Sequence, residues 1–272
     1  AIYRKTNQPA ELVDIMRQRI DTGIDVDQHT EYLRQIARLE LEDLGVPLDA
    51  AKTLLELYQL APERLGVFDS LESLYEDHEQ WGDLVELYSC ERERLGTLEG
   101  GESWENYRTL SFRQAAVLFS ELDDPFTAAA LFEALLDDDE PHEPTLAFLE
   151  EQAAGGNDEF IRLLLEHYGR LGSWPELLRM LRVKLEHLDE PKAKRDTLLE
   201  IARIEEMKME RPAEAIEAVG TAFEQVSSET DLLRGLYQTA ERTGAFGPWF
   251  ETMRRVLPKV ESVVERRGFM HA

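Results

Sequence analysis

The sequence predicts an all-α solenoid of about six stacked helical hairpins with one inserted helix. Three observations predict it. The first is a gapless self-alignment on Pro47, Pro125 and Pro212, in which Ala37, Ala115 and Ala202 stand ten residues earlier and Ala50, Ala128 and Ala215 three residues later. Leu44, Leu122 and Met209 precede each Pro by three, and Leu54/Leu57, Phe132/Leu135 and Val219/Ala222 follow it by seven and ten. The second is an alternating motif, Tyr75…Trp81…Leu84-Val85…Tyr88, which returns as Tyr168…Trp174…Leu177-Leu178…Leu181 and more loosely as Ala240…Phe246…Trp249-Phe250…Met253. The opening residues Tyr3…Pro9…Leu12-Val13…Met16 fit it as well. The third is apolar recurrence at i, i+3, i+4 and i+7 in block after block, with no useful run of strand alternation. A unit that cannot bury its apolar face alone repeats so that neighbours bury it, which is the logic of a solenoid.

Helix punctuation then places the elements. The expected helices are 9–20, 28–44, 47–59, 64–78, 81–95, 104–122, 125–137, 144–154, 158–171, 174–188, 193–209, 212–226, 229–242 and 248–266. Asp124-Pro125 reads as an N-cap with Pro at the first helical position, where a missing N–H costs nothing. Ser173-Trp174-Pro175-Glu176 reads as a capping box, and Gly45-Val46-Pro47 and Gly247-Pro248 as places where one helix stops and the next starts. From Pro47 to Trp81 is 34 residues, and so is Pro212 to Phe246, but Pro125 to Trp174 is 49. The extra 15 residues fit one inserted helix near 144–154 followed by Gly155-Gly156-Asn157. One continuous array over 1–272 is favoured, with a sub-boundary near 140–157 as the alternative. The chain opens in mid-repeat and reads as a piece of a longer protein.

Composition narrows the partners. With 43% hydrophobic residues the chain can bury a continuous core. No apolar run approaches the roughly 18 residues of a membrane span, so membrane insertion is not expected. The formal charge of −26 repels phosphate backbones, which argues against nucleic acid and favours a basic protein or peptide; solubility or salt adaptation would explain the same charge. One cysteine, Cys90, excludes an internal disulfide and a cysteine zinc site; it reads as a small packing residue, and a cytoplasmic setting is favoured.

Pro47-x2-Ala50-x3-Leu54-x2-Leu57-x4-Pro62 and Pro212-x2-Ala215-x3-Val219-x2-Ala222 resemble the second helix of the tetratricopeptide repeat (TPR), and Tyr168-x3-Gly172-x4-Leu177-x3-Leu181 resembles the junction between its two helices. The family's Trp-Leu-Gly signature in the first helix is absent, and the same residues also fit related hairpin repeats, including the half-a-tetratricopeptide type. The resemblance covers nearly the whole chain and implies a right-handed superhelix whose first helices line a concave, ligand-binding groove. Carried over by alignment, those positions are Tyr32, Gln35, Leu39, Glu42 and Asp43, then Asp69, Ser73, Glu76 and Asp77. They continue as Leu110, Arg113, Val117, Ser120 and Glu121, and as Glu159, Arg162, Glu166 and Arg170. Two mixed sets close the list: Thr197, Glu200, Ile204, Met207 and Lys208, and Asp231, Arg234, Gln238, Glu241 and Arg242. The Lys/Asn clamp of chaperone-binding relatives is missing. A Lys/Arg-bearing segment suits the acidic N-terminal part electrostatically.

Chemistry is not visible. There is no phosphate-cradling Gly-rich loop, His-Glu-x-x-His or Gly-x-Ser-x-Gly, and the six histidines fall in separate repeats, so no catalytic residue, metal site or cofactor is expected. From Gln114 through Ile161 there is no Lys or Arg but there are 13 carboxylates, among them the run Asp137-Asp138-Asp139-Glu140 at a helix C-terminus, where negative charge opposes the macrodipole. That run is a candidate acidic docking patch, with a solvated loop as the bland reading. Trp81, Trp174, Phe246 and Trp249 read as core because they recur beside the helix turn, whereas Trp104 has no repeat counterpart. The expected function is a non-enzymatic scaffold or adaptor. The alternative is a structural spacer that self-associates end to end through exposed terminal positions such as Ile2, Tyr3, Leu12 and Val13.

Overall fold

The computed structural model describes residues 8–63, 66–98, 100–138, 141–227, 229 and 231–260. Among these there are fourteen α-helices, one short 3-10 turn and no strand. The helices are α1 (Pro9–Asp21), α2 (Val26–Glu42), α3 (Pro47–Leu60), α4 (Val67–Asp77), α5 (Trp81–Gly96), α6 (Gly101–Ser120), α7 (Pro125–Leu136), α8 (Glu143–Ala154), α9 (Asp158–Leu171), α10 (Trp174–His187), α11 (Pro191–Met207), α12 (Pro212–Gln225), α13 (Asp231–Thr243) and α14 (Phe246–Val256). Each expected helix is present, and α8 stands where the 15-residue insertion was placed. The chain forms two compact units, residues 1–132 and 133–272. Within each, consecutive helices pack against each other, most closely α2 on α3 and α5 on α6 in the first unit and α11 on α12 in the second.

One local device repeats along the chain. Two residues before the first residue of α3, α5, α7, α10, α12 and α14 the backbone turns left-handed, at Gly45 (φ 64°), Glu79 (55°), Asp123 (52°), Gly172 (68°), Glu210 (55°) and Gly244 (75°). In the Pro-started hairpins the next residue donates its N–H back to the preceding helix: Val46 to Glu40 O at 2.8 Å, Asp124 to Leu118 O at 2.9 Å and Arg211 to Glu205 O at 2.7 Å. These bonds satisfy carbonyls that a helix end leaves without partners. Pro47, Pro125 and Pro212 then open the second helix, where a preset φ and an absent N–H suit the first turn.

The aligned small residues lie in like surroundings. Ala37, Ala115 and Ala202 are all buried, as are Ala50, Ala128 and Ala215, which lets paired helices approach closely. Leu54, Phe132, Leu57, Leu135 and Ala222 are buried beyond them, with Val219 half-buried. Buried tyrosines anchor the hairpins through carboxylates that are themselves held by arginine. Tyr88 donates to Glu72 at 2.6 Å, and Arg113 pairs with the same carboxylate at 2.7 Å. Tyr58 donates to Glu91, which Arg94 holds, and Tyr168 donates to Glu150, which Arg179 holds.

Several details differ from the sequence expectation. Cys90 is exposed, because its position on α5 faces away from the buried Leu87, Tyr88 and Glu91. Phe246 is 48% exposed, while Trp81 and Trp249 pack against the core and Trp174 is half-buried. Helix α14 starts at Phe246, so Gly247-Pro248 lies inside its first turn and Gly244 supplies the break. Ser173 makes no side-chain cap bond; Asp25, Asp124 and Asn157 do cap, to the N–H of Gln28, Thr127 and Phe160. Positions 261–266 of the last expected helix, Ile2 and Tyr3 lie outside the described residues.

Candidate functional site

Amphipathic α2 buries Leu33, Ile36 and Leu39 and, Glu40 apart, turns its charged residues outward. Against it lies α1, with Met16 buried and Leu12 and Val13 packed on the Met16–Ile36–Leu39 cluster. Between the two helices opens a cleft of about 580 Å³, lined by Gln8, Pro9, Leu12, Glu31, Arg34, Gln35, Arg38, Leu39, Glu42 and Asp43. A neighbouring cavity of about 770 Å³ is bounded by Leu12, Ile15, Met16, Arg19, Tyr32 and Gln35, among others. The structure thus brings Tyr32, Gln35, Leu39, Glu42 and Asp43 together on one side of α2. Leu39 forms floor rather than reachable surface, since only 8% of it is exposed.

The cleft's two arginines are engaged on their own helix. Arg34 pairs with Glu31 at 3.1 Å and Arg38 with Glu42 at 2.8 Å. The hydrogen bond and the charge of Glu42 hold the Arg38 guanidinium above its ordinary range. Gln35 Nε2 donates to Glu31 at 2.8 Å and Asp43 adds a further carboxylate, so the cleft presents carboxylates with their cations already placed. Both pairs are solvent-exposed and screened, so an incoming cation can exchange for one.

The other expected groove residues are distributed differently. Asp69, Ser73, Glu76 and Asp77 are exposed on α4. Arg113 is committed to Glu72, Val117 packs against the core, and Glu121 is exposed just after α6. Arg162 is braced by Glu159 at 2.6 Å and Glu166 at 2.9 Å. Arg170 pairs with Asp137 and donates to Leu136 O at 2.9 Å, closing the end of α7. Asp137 is therefore part of a helix-end lock, Asp138 is half-buried, and Asp139 and Glu140 lie outside the described residues. Beside this lock His167 is buried. Its Nδ1 hydrogen-bonds Leu136 O at 3.1 Å, and burial pulls its pKa below the ordinary imidazole range. Among the described residues, no group of three or more His, Cys, Asp or Glu could hold a metal ion, and no helix is long and apolar enough to cross a membrane.

No protein-family model matches the sequence, and no curated protein matches it. Among solved structures it is similar to the APC/C hetero-tetramer Cut9-Hcn1, at 8% identity and a TM-score of 0.30, over 99% of this chain and 46% of that one. It is also similar to the TPR2AB-domain:pHSP90 complex of yeast Sti1, at 16% identity and a TM-score of 0.28, over 99% and 92% of the two chains. A third is Naa15/Naa10 bound to HypK-THB, at 16% identity and a TM-score of 0.28, over 97% and 42%. The chain spans about half the length of the Cut9-Hcn1 chain it matches. By its own paired helices and repeated left-handed turns, the fold is a TPR-like array of helical hairpins.

Proposed function

We propose that this chain is a non-enzymatic protein-interaction module that takes a Lys/Arg-bearing peptide or protein segment on the α1–α2 side of its first unit. The supporting observation is the open cleft beside α2, in which Gln35, Leu39, Glu42 and Asp43 share one wall. Half-buried Leu12 on its wall offers apolar contact and its rim offers carboxylates, the pairing that an amphipathic or extended basic segment needs. Exposed Asp69, Ser73, Glu76 and Asp77 on α4 extend the acidic surface, and the net charge of −26 steers cations toward the chain. Arg113, Arg162 and Arg170, already paired internally, act as framework in this reading.

A titration with a basic peptide at low and at physiological salt tests it. Binding should weaken by about tenfold in the double variant Glu42→Lys/Asp43→Lys and fall with salt, because rim charges act through screened fields. Salt-independent binding, or binding untouched by the double variant, would sink the proposal. The self-associating spacer has one observation in its favour: Phe246 and Phe250, four apart on α14, are 48% and 65% exposed. Sedimentation of the chain against its Phe250→Glu variant decides it; a strictly monomeric parent at high concentration removes this alternative.

A further inference from the structure

We propose that a cavity between α10, α11 and α12 binds a small aliphatic zwitterion of the α-amino-acid class. The first unit shows what such a place requires. At a constant separation of 165 residues, Arg17, Glu40, Thr53 and Glu56 match Arg182, Glu205, Ala218 and Thr221. In the first unit the four close on one another. Arg17 donates to the Glu56 carboxylate at 2.6 Å and to the Thr53 hydroxyl at 2.6 Å, and that hydroxyl donates to buried Glu40 at 2.7 Å.

The second unit keeps the arginine and the buried glutamate but not the groups that complete them. Arg182 Nη2 donates to Glu205 Oε1 at 2.7 Å, the one ion pair it makes among the described residues. Glu205 Oε2 is buried and has no hydrogen-bond partner; the guanidinium of Arg211 comes only within 3.8 Å. At the positions of Thr53 and Glu56, Ala218 and Thr221 instead border an open cavity of about 520 Å³, with Arg182 and Glu205 also on its wall. That is room for a small ligand. An acceptor buried without a donor costs free energy that a ligand's donor recovers. Because Arg182 is exposed, its rotamer can shift to admit that donor to Oε2.

Two groups define the ligand. Glu205 Oε2 needs a donor, the part Thr53 plays for Glu40. The outer N–H groups of Arg182 need a carboxylate, the part Glu56 plays for Arg17. A plain carboxylic acid is opposed by the net charge of −26 and by Glu214 on the same wall, exposed and without an ion pair among the described residues. An ammonium donor meets Glu205 and Glu214 favourably, whereas Glu217 is already paired with Arg255 at 2.7 Å. A molecule with both groups is neutral and answers both partners. Half-buried Leu185, with Leu198, Ile201 and Ala218, makes the rest of the wall apolar, which suits an aliphatic body.

The test is calorimetric titration of the full chain with L-leucine, against isoamylamine, which lacks the carboxylate, and isocaproate, which lacks the ammonium. L-leucine should bind with a dissociation constant of about 1 mM or tighter, and each control about tenfold more weakly for want of one charge-assisted contact. Thr221→Glu gives Arg182 an internal carboxylate and should weaken leucine binding about tenfold. Ala218→Thr/Thr221→Glu rebuilds the first unit's set, so it should abolish binding and raise the melting temperature of the chain without ligand. Thr221→Glu, one change at a half-buried position, carries the test if the double variant does not fold. Leucine binding that the variants leave unchanged, or equal affinity for leucine and either control, would overturn the inference. So would the absence of both heat and a rise in melting temperature at about 10 mM leucine.

Discussion

Hairpin α2–α3 of the first unit and hairpin α11–α12 of the second are built to one plan and locked by different chemistry. Seven residues before the aligned Pro each buries a glutamate, Glu40 in one and Glu205 in the other. Six residues after it stands Thr53 in the first and Ala218 in the second, both buried. Thr53 donates to Glu40 at 2.7 Å while accepting from Arg17 of α1 at 2.6 Å. Alanine offers no hydroxyl, and Glu205 is held instead by Arg182 of α10 at 2.7 Å and by Arg211 of the turn at 3.8 Å. The hairpin α6–α7 resolves the same position a third way, with buried Leu118 and half-buried Leu131 at the two equivalent positions and no charge at either. The chain therefore contains its own mutant series: a buried carboxylate is optional and, where present, is paired by whatever the neighbouring positions supply, Glu40 by a hydroxyl and Glu205 by arginine, with Glu205 Oε2 left without a hydrogen bond.

The largest expected effect comes from removing the partner whose loss leaves a buried charge most exposed energetically. Arg182→Met should destabilise by about 2–4 kcal/mol, since Glu205 keeps only the longer Arg211 contact. Arg17→Met should cost about 1 kcal/mol, because Thr53 still serves Glu40 and the Arg17–Glu56 pair is partly solvated. Urea midpoints of the two variants measure the difference. Equal losses would mean that the two locks are energetically alike despite their chemistry.

Next in size is an alkaline response carried by the tyrosine anchors. Burial first, and then the adjacent carboxylate, push Tyr58, Tyr88 and Tyr168 well above the ordinary tyrosine range. A raised folded-state pKa gives stability that is complete below about pH 10 and is lost as pH climbs through the folded value, since the unfolded chain releases its protons first. The Tyr58→Phe/Tyr88→Phe double variant should flatten the decline in stability above pH 10 more than Tyr168→Phe does. Chemical unfolding between pH 9 and 11 reads it. Identical slopes would remove the tyrosines from the account.

The smallest effect compares one turn position in the two hairpins. Gly45 and Glu210 share a left-handed backbone, which costs a side-chain-bearing residue about 1 kcal/mol and glycine almost nothing. Gly45→Ala should lose about 1 kcal/mol from backbone strain alone, as no atom lies within 4 Å of the added Cβ. Glu210→Gly should gain about 0.5 kcal/mol, tempered by the entropy that glycine adds to the unfolded chain. Thermal melts suffice, and a destabilised Glu210→Gly would show that its side chain does something the turn geometry does not reveal.

Much of the fold was legible before any coordinates. The number and order of helices, the Pro-started second helices, the buried alanines and the inserted helix all follow from spacing, because helix periodicity and breaker residues are local properties. The six left-handed turns were legible only where glycine marks them; Glu79, Asp123 and Glu210 carry the same conformation with no residue-level signal, so only the alignment of hairpins exposes them. The site was less legible. Alignment placed Tyr32, Gln35, Leu39, Glu42 and Asp43 on one helix face, but not that Leu39 would seal against Met16 and Ile36. Nor did it show that Arg113, Arg162 and Arg170 would be consumed by internal carboxylates.

The sequence by itself determined which segments coil, where they stop, and which small side chains let them touch. Only the tertiary structure decided how each buried charge is answered, which arginines stay available, and that a cavity opens beside Glu205. The reason is physical. Helix formation and termination depend on neighbours within a few residues, whereas satisfying a carboxylate or lining a cavity depends on groups from other helices, brought together only once the hairpins have packed.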